Sequence, residues 1–577
     1  MPRPWLSHYP QGVPADISAD GYVSLVDLLD RACERYASRV ACTALGTDIS
    51  YGRLDRHARY FAGWLQSLQL APGTRVALMM PNVPAYLACM LGVLRAGHVV
   101  VNVNPLYKPA ELRRQLEDSG AEVIVVLERF AHVVQQVREG RAAEKEAQGE
   151  TQAETQAHAQ SAQLALRHVV VVAIGDLLSG FKEVLVNVVA RHVKKLVPRW
   201  RIAGARKLTA VLHAGRRAGF KPPVLSMDNL AVLQYTGGTT GIPKGAMLTH
   251  RNLVNNVLQT EAVAWPALHD IAGQMTILSA LPLYHVFAMT VCGLYGIHAG
   301  MRNLLILDPR DHATLVKAWQ RTPVNIFPGV NTLFNALSHN AAFAALDFSA
   351  LRLTFGGGMA VQGAVAERWM KMTGRPVIEG YGLSETAPVA AVNPTDSLIY
   401  SGSIGLPVPS TDIAILDDAG RQVDYGERGE VCIRGPQVMR GYWRRPDETR
   451  MVMTEDGFFR TGDIGVMDEQ GYVRIVDRKK DMITVSGFKV YPNEVEDAIA
   501  ALPGVREVAA VGVDDTHSGE VVKAYVVRDD EALTEAQVKD WCRTRLTGYK
   551  CPRMVEFRAE LPKSNVGKIL RRELREQ

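Results

Sequence analysis

Residues Val76 to Leu127 read VALMMPNVPAYLACMLGVLRAGHVVVNVNPLYKPAELRRQLEDSGAEVIVVL, and this stretch decides the fold class of the 577-residue chain. The apolar runs Val76–Met80 and Val123–Leu127 are typical of short buried strands. Pro84–Ala96 and Pro109–Ser119 carry helical patterns. Strands that alternate with helices predict an α/β domain with a largely parallel sheet.

The composition excludes several classes of protein. At 577 residues the chain is too long for one ordinary domain. Hydrophobic residues make up 47% and charged residues 22%, which excludes collagen-like, coiled-coil and wholly disordered chains. A net charge of +5 is too small for a dedicated nucleic-acid-binding surface, so no nucleic-acid partner is expected.

Cysteine usage and hydropathy predict a cytoplasmic protein. The seven cysteines are scattered and never spaced as CxxC, which indicates buried thiols in a reducing compartment. The polar start MPRPWLSHYPQGVP has no apolar core of a signal peptide. The longest apolar run, Ala85–Val103, is interrupted by Arg95 and His98, so no membrane span is expected.

The amino-acid composition of the chain changes at two places. Residues 139–163 contain mainly Ala, Glu and Gln, which predicts a low-complexity insertion, either a solvated helix or a disordered segment. The charged sequence DRKKD, Asp477–Asp481, lacks apolar anchors and predicts a boundary between a domain of residues 1–476 and one of residues 477–577. The second domain is expected to be α+β, with strands near Val508–Val513 and Val521–Val527 and a helix near Thr534–Leu546.

A basic amphipathic helix is predicted within Phe181–Leu208. Its apolar residues recur at helical spacing, and Trp200 lies near its end. Two interpretations stay open: a surface helix packed on the domain, or a helix that lies on an anionic bilayer. The basic residues that favour the bilayer are Lys182, Arg191, Lys194, Lys195, Arg199, Arg201, Arg206 and Lys207.

The sequence YTGGTTGIPKGAMLTHRN, Tyr235 to Asn252, predicts a phosphate-binding loop. Glycines let backbone N–H groups close around phosphate oxygens, threonine hydroxyls donate further hydrogen bonds, and a lysine adds positive charge. The loop is not a Walker A motif, because Lys244 stands between Pro243 and Gly245.

Further blocks follow in a fixed order: EGYGLSETAP (Glu379–Pro388), TGD (Thr461–Asp463), DRKKDMI (Asp477–Ile483) and PKSNVGKILRREL (Pro562–Leu574). Together with the glycine-rich loop they resemble the ATP-dependent acyl-adenylate-forming superfamily. Asp456–Asp481 resembles the signature of fatty acyl-CoA synthetases, and LPLYHVFAMT and FPGVNTLFNAL are similar to the bacterial long-chain fatty acid–CoA ligases. The resemblance implies a large N-terminal α/β domain of acyl-adenylate-forming type and a small, mobile C-terminal α+β domain.

The resemblance also implies a reaction in two steps. The carboxylate of a fatty acid attacks the α-phosphate of ATP in the presence of Mg²⁺, which gives acyl-AMP and pyrophosphate. The thiol of coenzyme A then attacks acyl-AMP and gives acyl-CoA and AMP. The partners are therefore fatty acid, ATP and coenzyme A, with peripheral contact to the cytoplasmic face of the inner membrane and a homodimer left open.

The resemblance assigns residues to the nucleotide. The loop would close over the β- and γ-phosphates, with Thr236 also counted as catalytic and Gly238 standing where many relatives carry serine. Tyr381 would stack on adenine, Ser384 would contact the α-phosphate, and Glu385 would be both catalytic and the Mg²⁺ ligand. The nucleotide-binding set consists of Tyr235, Thr236, Gly237, Gly238, Thr239, Thr240, Gly241, Ile242, Pro243, Lys244, Gly245, Ala246, Glu379, Gly380, Tyr381, Gly382 and Ser384.

Other assignments fall near the domain boundary. Asp463 would accept both ribose hydroxyls, and Arg478 would reach the ribose–phosphate region. Asp477 matches the hinge about which the small domain turns. Lys568 matches the lysine that bridges the α-phosphate and the carboxylate, and Gly487 matches a position in the pantetheine channel.

The resemblance assigns fewer residues to the acyl-binding end of the site. His285 matches a catalytic position at the mouth of the acyl pocket, although an ordinary packed histidine stays open as an interpretation. The small residues Gly356, Gly357 and Gly358 would flank the reacting carboxylate.

Two alternatives to a coenzyme A ligase remain. One is a fatty acyl-AMP ligase that loads a carrier protein, although no carrier domain follows Lys568 and no HHxxxDG motif is present. The other is a membrane-associated fatty-acid capture protein with a vestigial site, which the full set of ATP residues disfavours. A serine hydrolase is excluded because no GxSxG sequence is found.

Overall fold

The computed structural model describes residues 3–140, 164–236, 243–515, 517–564 and 567–575. Its first large sheet has seven strands, parallel except for the antiparallel pair at one edge. In spatial order the strands are Arg206–Lys207, His168–Val172, Val123–Leu127, Arg75–Met79, Val99–Asn102, Leu230–Thr236 and Lys244–Thr249.

The second large sheet has nine strands, parallel in its centre and antiparallel at both edges. In spatial order they are Leu406–Pro407, Val389–Val392, Val377–Gly382, Leu353–Gly356, Ile326–Gly329, Thr276–Ser279, Arg302–Leu305, Val40–Ala44 and Thr47–Ser50.

Helices cover these sheets, as expected where parallel strands are joined by crossover connections. Their α-helical spans are Leu25–Arg35, Tyr51–Ser67, Pro84–Arg95, Pro109–Ser119, Ala131–Arg138, Phe181–Val188, Leu208–Ala218, His250–Leu268, Val286–Ala288, Tyr295–His298, His312–Arg321, Asn331–Ser338, Ala341–Ala344, Gly363–Thr373 and Pro446–Val452. π-helical turns at Val189–Val193 and Met289–Leu294 and 3-10 turns at Pro4–His8, Glu128–Phe130 and Ser384–Thr386 complete this set.

Helix Pro84–Arg95 shows why the most apolar stretch of the chain lies inside the protein. Proline opens the helix, where its missing N–H costs nothing, and every residue of the helix is buried. The helix shares one core with apolar residues from both large sheets. A helix that is apolar on all sides is expected to be enclosed in this way. None of the helices among the described residues is both long and apolar enough to cross a bilayer.

A third sheet, which the sequence analysis did not distinguish, lies between the large sheets and the C-terminal domain. Its four antiparallel strands are Asp412–Leu416, Gly429–Arg434, Phe459–Met467 and Val473–Arg478.

The C-terminal domain contains a five-stranded, mostly antiparallel sheet with its own apolar core. Its strands are Phe488–Val490, Ile483–Val485, Gly519–Arg528, Val505–Asp515 and Met554–Phe557. Its helices are Pro492–Ala500, Glu535–Arg543 and Arg571–Arg575, with a 3-10 turn at Gly548–Lys550.

These elements confirm the predicted fold class: a large α/β domain followed by a small α+β domain. The boundary at residue 477 and the hinge stay predictions. All but the first two residues of the predicted insertion 139–163 lie outside the described residues. All seven cysteines are free thiols, and only Cys551 is not buried.

The predicted helix over Phe181–Leu208 is wrong in length, and most of its apolar side chains are exposed. The α-helix ends at Val188 and continues only as the π-helical turn Val189–Val193, because Lys195 takes a left-handed conformation and Pro198 follows. The side chain of Phe181 is 80% exposed, and the apolar residues around it are also open to solvent.

Arg95, the last residue of the buried helix Pro84–Arg95, forms ion pairs with two aspartates. Its guanidinium donates to Asp30 Oδ1 at 2.5 and 2.8 Å and to Asp55 Oδ1 at 2.6 Å, and the residue is 1% exposed. Replacing Arg95 removes a buried guanidinium from two partly exposed carboxylates, of which Asp55 keeps an ion pair with Arg59.

We therefore expect Arg95→Met to lower the free energy of unfolding by about 3 kcal/mol. The measurement is urea unfolding followed by circular dichroism. Arg31→Met is the control, because Arg31 pairs with Asp27 at the surface, where solvent screens the ion pair and its loss is expected to cost much less. Equal losses in the two variants would contradict the prediction.

Candidate active site

The candidate site lies at the carboxyl ends of two neighbouring parallel strands of the nine-stranded sheet. Strands Leu353–Gly356 and Val377–Gly382 pair in parallel, with Gly356 opposite Glu379. Loops that follow such ends meet at one edge of a sheet, which is where open α/β folds bind ligands. The loops here contain the predicted residues Gly357, Gly358 and Glu385.

Asp463 is the carboxylate at the centre of the site. It is 4% exposed and lies opposite Arg478 on the adjacent strand. Arg478 Nε is 3.2 Å from Asp463 Oδ1, and the Tyr381 hydroxyl donates to Oδ2 at 2.5 Å. Burial and the negative charge of Asp463 raise the pKa of Tyr381 well above its usual value, so the phenol stays protonated. The structure thus brings three predicted residues together.

Glu385 forms a second buried carboxylate. It lies in the 3-10 turn Ser384–Thr386, which Ser384 opens, directly after strand Val377–Gly382. The Tyr442 hydroxyl donates to Glu385 Oε1 at 2.7 Å. Burial raises the pKa of Glu385. The sequence analysis missed Tyr442, because nothing in GYWRRP marks a partner for a carboxylate 57 residues earlier.

The glycine-rich loop begins and ends on a hairpin. Thr236 pairs with Lys244 across the hairpin, while Gly237–Ile242 lie outside the described residues. Lys244 forms an ion pair with Glu448, and its Nζ is 5.3 Å from the ring centre of Tyr442.

Tyr235 anchors the base of this hairpin away from the cleft. Its hydroxyl donates to Asp118 Oδ2 at 2.6 Å, and Arg445 donates to the other oxygen of Asp118 at 2.9 Å. Gly245 pairs with Tyr235, and Ala246 bridges to Tyr442. Pro243 is the first described residue after the loop.

Lys568 reaches the cleft from the C-terminal domain. A Cβ built on Gly358, whose φ is +79°, would stand 3.6 Å from Lys568 Cε. Burial and the positive charge of Arg478 lower the pKa of Lys568 to about 8, while the carboxylates of Asp463 and Glu385 act in the opposite direction. The tail of the chain therefore contributes a cation to the site.

His285 and Phe287 border the same cleft. His285 precedes the short helix Val286–Ala288, and its Nδ1 accepts from the Phe287 N–H at 3.4 Å. Burial, assisted by the charge of Lys568, lowers the pKa of His285 to about 3, so the imidazole is neutral. A Cβ on Gly357 would stand 3.2 Å from the Phe287 ring, so a larger residue would crowd this passage.

Glu379, Gly380 and Gly382 pack closely against backbone groups next to the site. Glu379 Oε1 accepts from the Val361 N–H at 2.8 Å, and burial raises the pKa of Glu379 to about 7. A Cβ on Gly382 would stand 1.8 Å from the Pro388 carbonyl oxygen, and one on Gly380 would stand 3.4 Å from that of Ala391. These contacts give all three residues a packing role in the described structure.

Asp477 lies near the end of strand Val473–Arg478 and contacts two residues of the C-terminal domain. It is 1% exposed and accepts from the Arg478 N–H at 2.7 Å and the Asn493 N–H at 2.8 Å. Arg571 Nη1 lies 3.5 Å from its carboxylate, and burial raises the pKa of Asp477 to about 6. Gly487 lies in the turn before strand Phe488–Val490, with φ +82° and nothing within 4 Å of a built Cβ. The structure thus places Lys568 at the cleft and leaves the Gly487 turn open.

A cavity of about 500 Å³ lies beside Glu385. Apolar, polar and charged side chains share its lining, with three carboxylates and two cations among them. The lining residues are Leu383, Glu385, Asp418, Glu430, Tyr442, Met451, Val452, Phe459, Arg460, Thr461, Gly462 and Lys479.

Two family models match the chain. Residues 29–443 match the AMP-binding enzyme family, and residues 494–568 match the C-terminal domain of AMP-binding enzymes. The first match alone covers more than half of the chain.

Individual relatives agree with this match. The chain is 50% identical to the long-chain-fatty-acid–CoA ligase of Escherichia coli O157:H7 and 45% identical to that of Haemophilus influenzae, over 100% of this chain and 98% and 99% of those proteins. The structure of ATP-bound MatB from Rhodopseudomonas palustris is 29% identical, covers 96% of this chain and 98% of its own, and superimposes with a TM-score of 0.77. The chain belongs to the AMP-binding enzyme family.

Proposed function

We propose that this protein is a long-chain fatty acid–CoA ligase that forms acyl-AMP and then acyl-CoA. The observation that carries the proposal is the approach of Lys568 to the cleft that contains Asp463, Arg478 and Glu385. The relatives named above carry this activity in their names and are similar over the whole chain.

The first step needs charge neutralisation and positioning more than covalent help from the protein. A carboxylate oxygen of the fatty acid forms a bond to the α-phosphorus of ATP, and the bond to pyrophosphate breaks. Lys568 would bridge the carboxylate and an α-phosphate oxygen, and Ser384 would contact the same phosphate. His285, neutral at physiological pH, would border the carboxylate without adding charge.

Asp463 would hold the ribose of ATP through its two oxygens. Each carboxylate oxygen has two acceptor positions, so the hydrogen bond from Tyr381 and the contact with Arg478 leave acceptor capacity for ribose hydroxyls. Tyr381, fixed by its hydroxyl, would present its ring to adenine. Thr236 and Lys244 would direct the glycine-rich loop over the β- and γ-phosphates.

Glu385 fits a Mg²⁺ ligand. It is a buried carboxylate with one recorded side-chain donor, Tyr442, and Mg²⁺ favours few protein oxygens together with phosphates and water. Among the described residues, no group of three or more His, Cys, Asp or Glu side chains could hold a metal by itself. When bound, Mg²⁺ would neutralise charge on the phosphate oxygens.

In the second step, a different face of the small domain would have to border the cleft. Coenzyme A must approach the acyl-AMP from a direction that Lys568 does not block. A turn of the small domain about Asp477 would withdraw Lys568 and bring the open turn at Gly487 toward the cleft.

The test of the function measures pyrophosphate and thioester production with ATP and Mg²⁺ across acids from acetate to oleate, with and without coenzyme A. Turnover that rises with chain length and requires coenzyme A supports the proposal. Acyl-AMP that accumulates regardless of coenzyme A would contradict it and favour a carrier-loading ligase.

We also propose that the protein acts at the cytoplasmic membrane surface, through the apolar helix Phe181–Val188. Three polar side chains on this helix and the turn after it, Glu183, Asn187 and Arg191, line a cavity of about 160 Å³ inside the domain. Asn187 accepts from the Gly175 N–H at 2.8 Å, and Arg191 donates to Glu128 at 2.8 Å. The polar face is therefore inside, and the apolar face is outside.

The exposed face of the apolar helix suits an anionic bilayer. Phe181 is 80% exposed and Val184 60%, and Val193 follows at 71%. Exposed basic residues lie beside them, among them Lys194, Lys195, Arg199 and Arg201. An apolar face flanked by lysine and arginine binds anionic lipid by burial of apolar surface and by charge attraction.

Lys568→Ala is expected to reduce formation of acyl-AMP by at least about 100-fold, because the variant loses the cation at the reacting phosphate. Labelled pyrophosphate exchange with ATP and oleate measures this step. Thioester formation from supplied acyl-AMP should stay within about twofold of the wild type. Lys563→Ala is the control, since Lys563 lies on the same tail but pairs with Glu507 at 2.6 Å. Equal loss in both half-reactions would refute the role of Lys568.

The rate of adenylation is expected to fall as the pH rises through about 8, because Lys568 is needed as an ammonium and its pKa is lowered to about 8. The kcat/KM of pyrophosphate exchange, measured between pH 6 and 10, reports the free enzyme. Lys568→Arg keeps its charge over this range, so its profile should stay flat where that of the wild type falls. Identical profiles would show that another group titrates.

Membrane binding is expected to depend on the charge beside the apolar helix. The variant Lys194→Glu, Lys195→Glu, Arg199→Glu and Arg201→Glu should lose at least about tenfold in affinity for phosphatidylglycerol vesicles, since each residue contributes about 1 kcal/mol near an anionic surface. Vesicle co-sedimentation at two salt concentrations measures the affinity.

Substitutions of apolar residues by serine test the same surface without any change in charge. Phe181→Ser should weaken vesicle binding, whereas Val224→Ser, which changes a fully exposed valine in a different segment, should not. Undiminished vesicle binding by both the charge variant and Phe181→Ser would refute contact through the apolar helix.

A further inference from the structure

Helix Asn331–Ser338, called the docking helix below, joins the large domain to the small domain. The Asn335 side-chain amide donates to the Arg506 carbonyl oxygen at 3.1 Å. One turn earlier, the Thr332 hydroxyl donates to the Gly567 carbonyl oxygen at 3.2 Å. Both acceptors are backbone atoms of the C-terminal domain, and Gly567 directly precedes Lys568.

The amide of Asn335 is fixed by its own domain. Arg368 on helix Gly363–Thr373 donates to Asn335 Oδ1 at 2.8 Å, and Asn335 is 4% exposed. Because an arginine cannot accept a hydrogen bond, the amide oxygen faces Arg368 and the NH₂ group faces the Arg506 carbonyl. The large domain thus presents a donor of defined direction to the small domain.

The acceptors are fixed in the small domain as well. The Arg506 guanidinium donates to the Ala559 carbonyl at 3.1 Å and lies 3.4 Å from Asp529. Gly567 has φ +79°, and a Cβ there would stand 2.5 Å from Thr332 Oγ1. The tail approaches the docking helix so closely that only glycine fits.

We propose that Asn335 and Thr332 are positioning residues for the adenylation half-reaction, which they serve by holding the small domain so that Lys568 lies at the cleft. The inference rests on the function proposed above. Neither side chain would touch the reacting atoms. The two contacts must break when the small domain turns, so they stabilise the arrangement for adenylation and not the arrangement for thioester formation.

This role predicts an unequal effect on the two half-reactions. Each neutral hydrogen bond that is lost lowers the ratio of docked to undocked molecules by about fivefold, and losing both lowers it by about 25-fold. Formation of acyl-AMP falls with the docked fraction. Thioester formation from supplied acyl-AMP stays the same or rises, because the competing arrangement is weakened.

Three variants separate the contacts from the packing of the docking helix. Asn335→Asp keeps an oxygen for Arg368 but removes the donor to Arg506. Thr332→Val removes the hydroxyl at nearly constant shape, and Thr332→Ser restores it. Ser338→Ala is the matched control, since the Ser338 hydroxyl donates to Phe334 within the same helix.

The experiment measures pyrophosphate exchange with ATP and oleate, and acyl-CoA formation from oleoyl-AMP and coenzyme A, on the full chain. Asn335→Asp and Thr332→Val are each expected to lose about fivefold in exchange only, with Thr332→Ser and Ser338→Ala close to the wild type. Parallel losses in both half-reactions, or no loss in either, overturn the inference. A wild-type chain without oleate-dependent exchange would instead refute the proposed function, so the two failures are distinguishable.

Discussion

The contact between Asp463 and Arg478 is the interaction on which the rest of the site depends. Both residues lie on the last two strands before the chain enters the small domain, and their side chains meet at 3.2 Å. Tyr381 adds a hydrogen bond from the nine-stranded sheet, so the carboxylate links two sheets. A buried carboxylate tolerates this position only because a cation and a donor satisfy it.

The site also depends on how the two domains are arranged, because Lys568 comes from the small domain. Lys568 is 90 residues beyond Arg478 in the sequence, and it lies at the cleft in an arrangement where the small domain contacts the docking helix. Burial and the nearby guanidinium of Arg478 lower the pKa of Lys568, and two carboxylates raise it. The pKa of a lysine among opposing charges is expected to change when a polyanion such as ATP binds or when the small domain moves away.

The sequence predicts those features that depend on local pattern. The strands and helices of Val76–Leu127 follow from periodicity, whereas Asp463, Arg478, Glu385 and Lys568 are assigned through the family resemblance that short motifs carry. Contacts between a side chain and a distant backbone carbonyl, such as that from Asn335 to Arg506, leave no pattern because any residue supplies a carbonyl. The donor from Tyr442 to Glu385 escaped prediction for a related reason: a single aromatic residue carries no periodicity.

The apolar helix Phe181–Val188 shows a limit of a different kind. Periodicity establishes that its apolar residues share one face, but it does not establish which face is buried. Here a polar cavity with Glu128 and Asp176 lies beneath the helix, and Asn187 and Arg191 face it, with Arg191 donating to Glu128. Burial of the apolar face would separate Arg191 from the largely buried carboxylate of Glu128, which costs more than the exposure of a few apolar side chains. The polar interior therefore directs the apolar face outward, and this exposed face is the basis of the proposed contact with lipid.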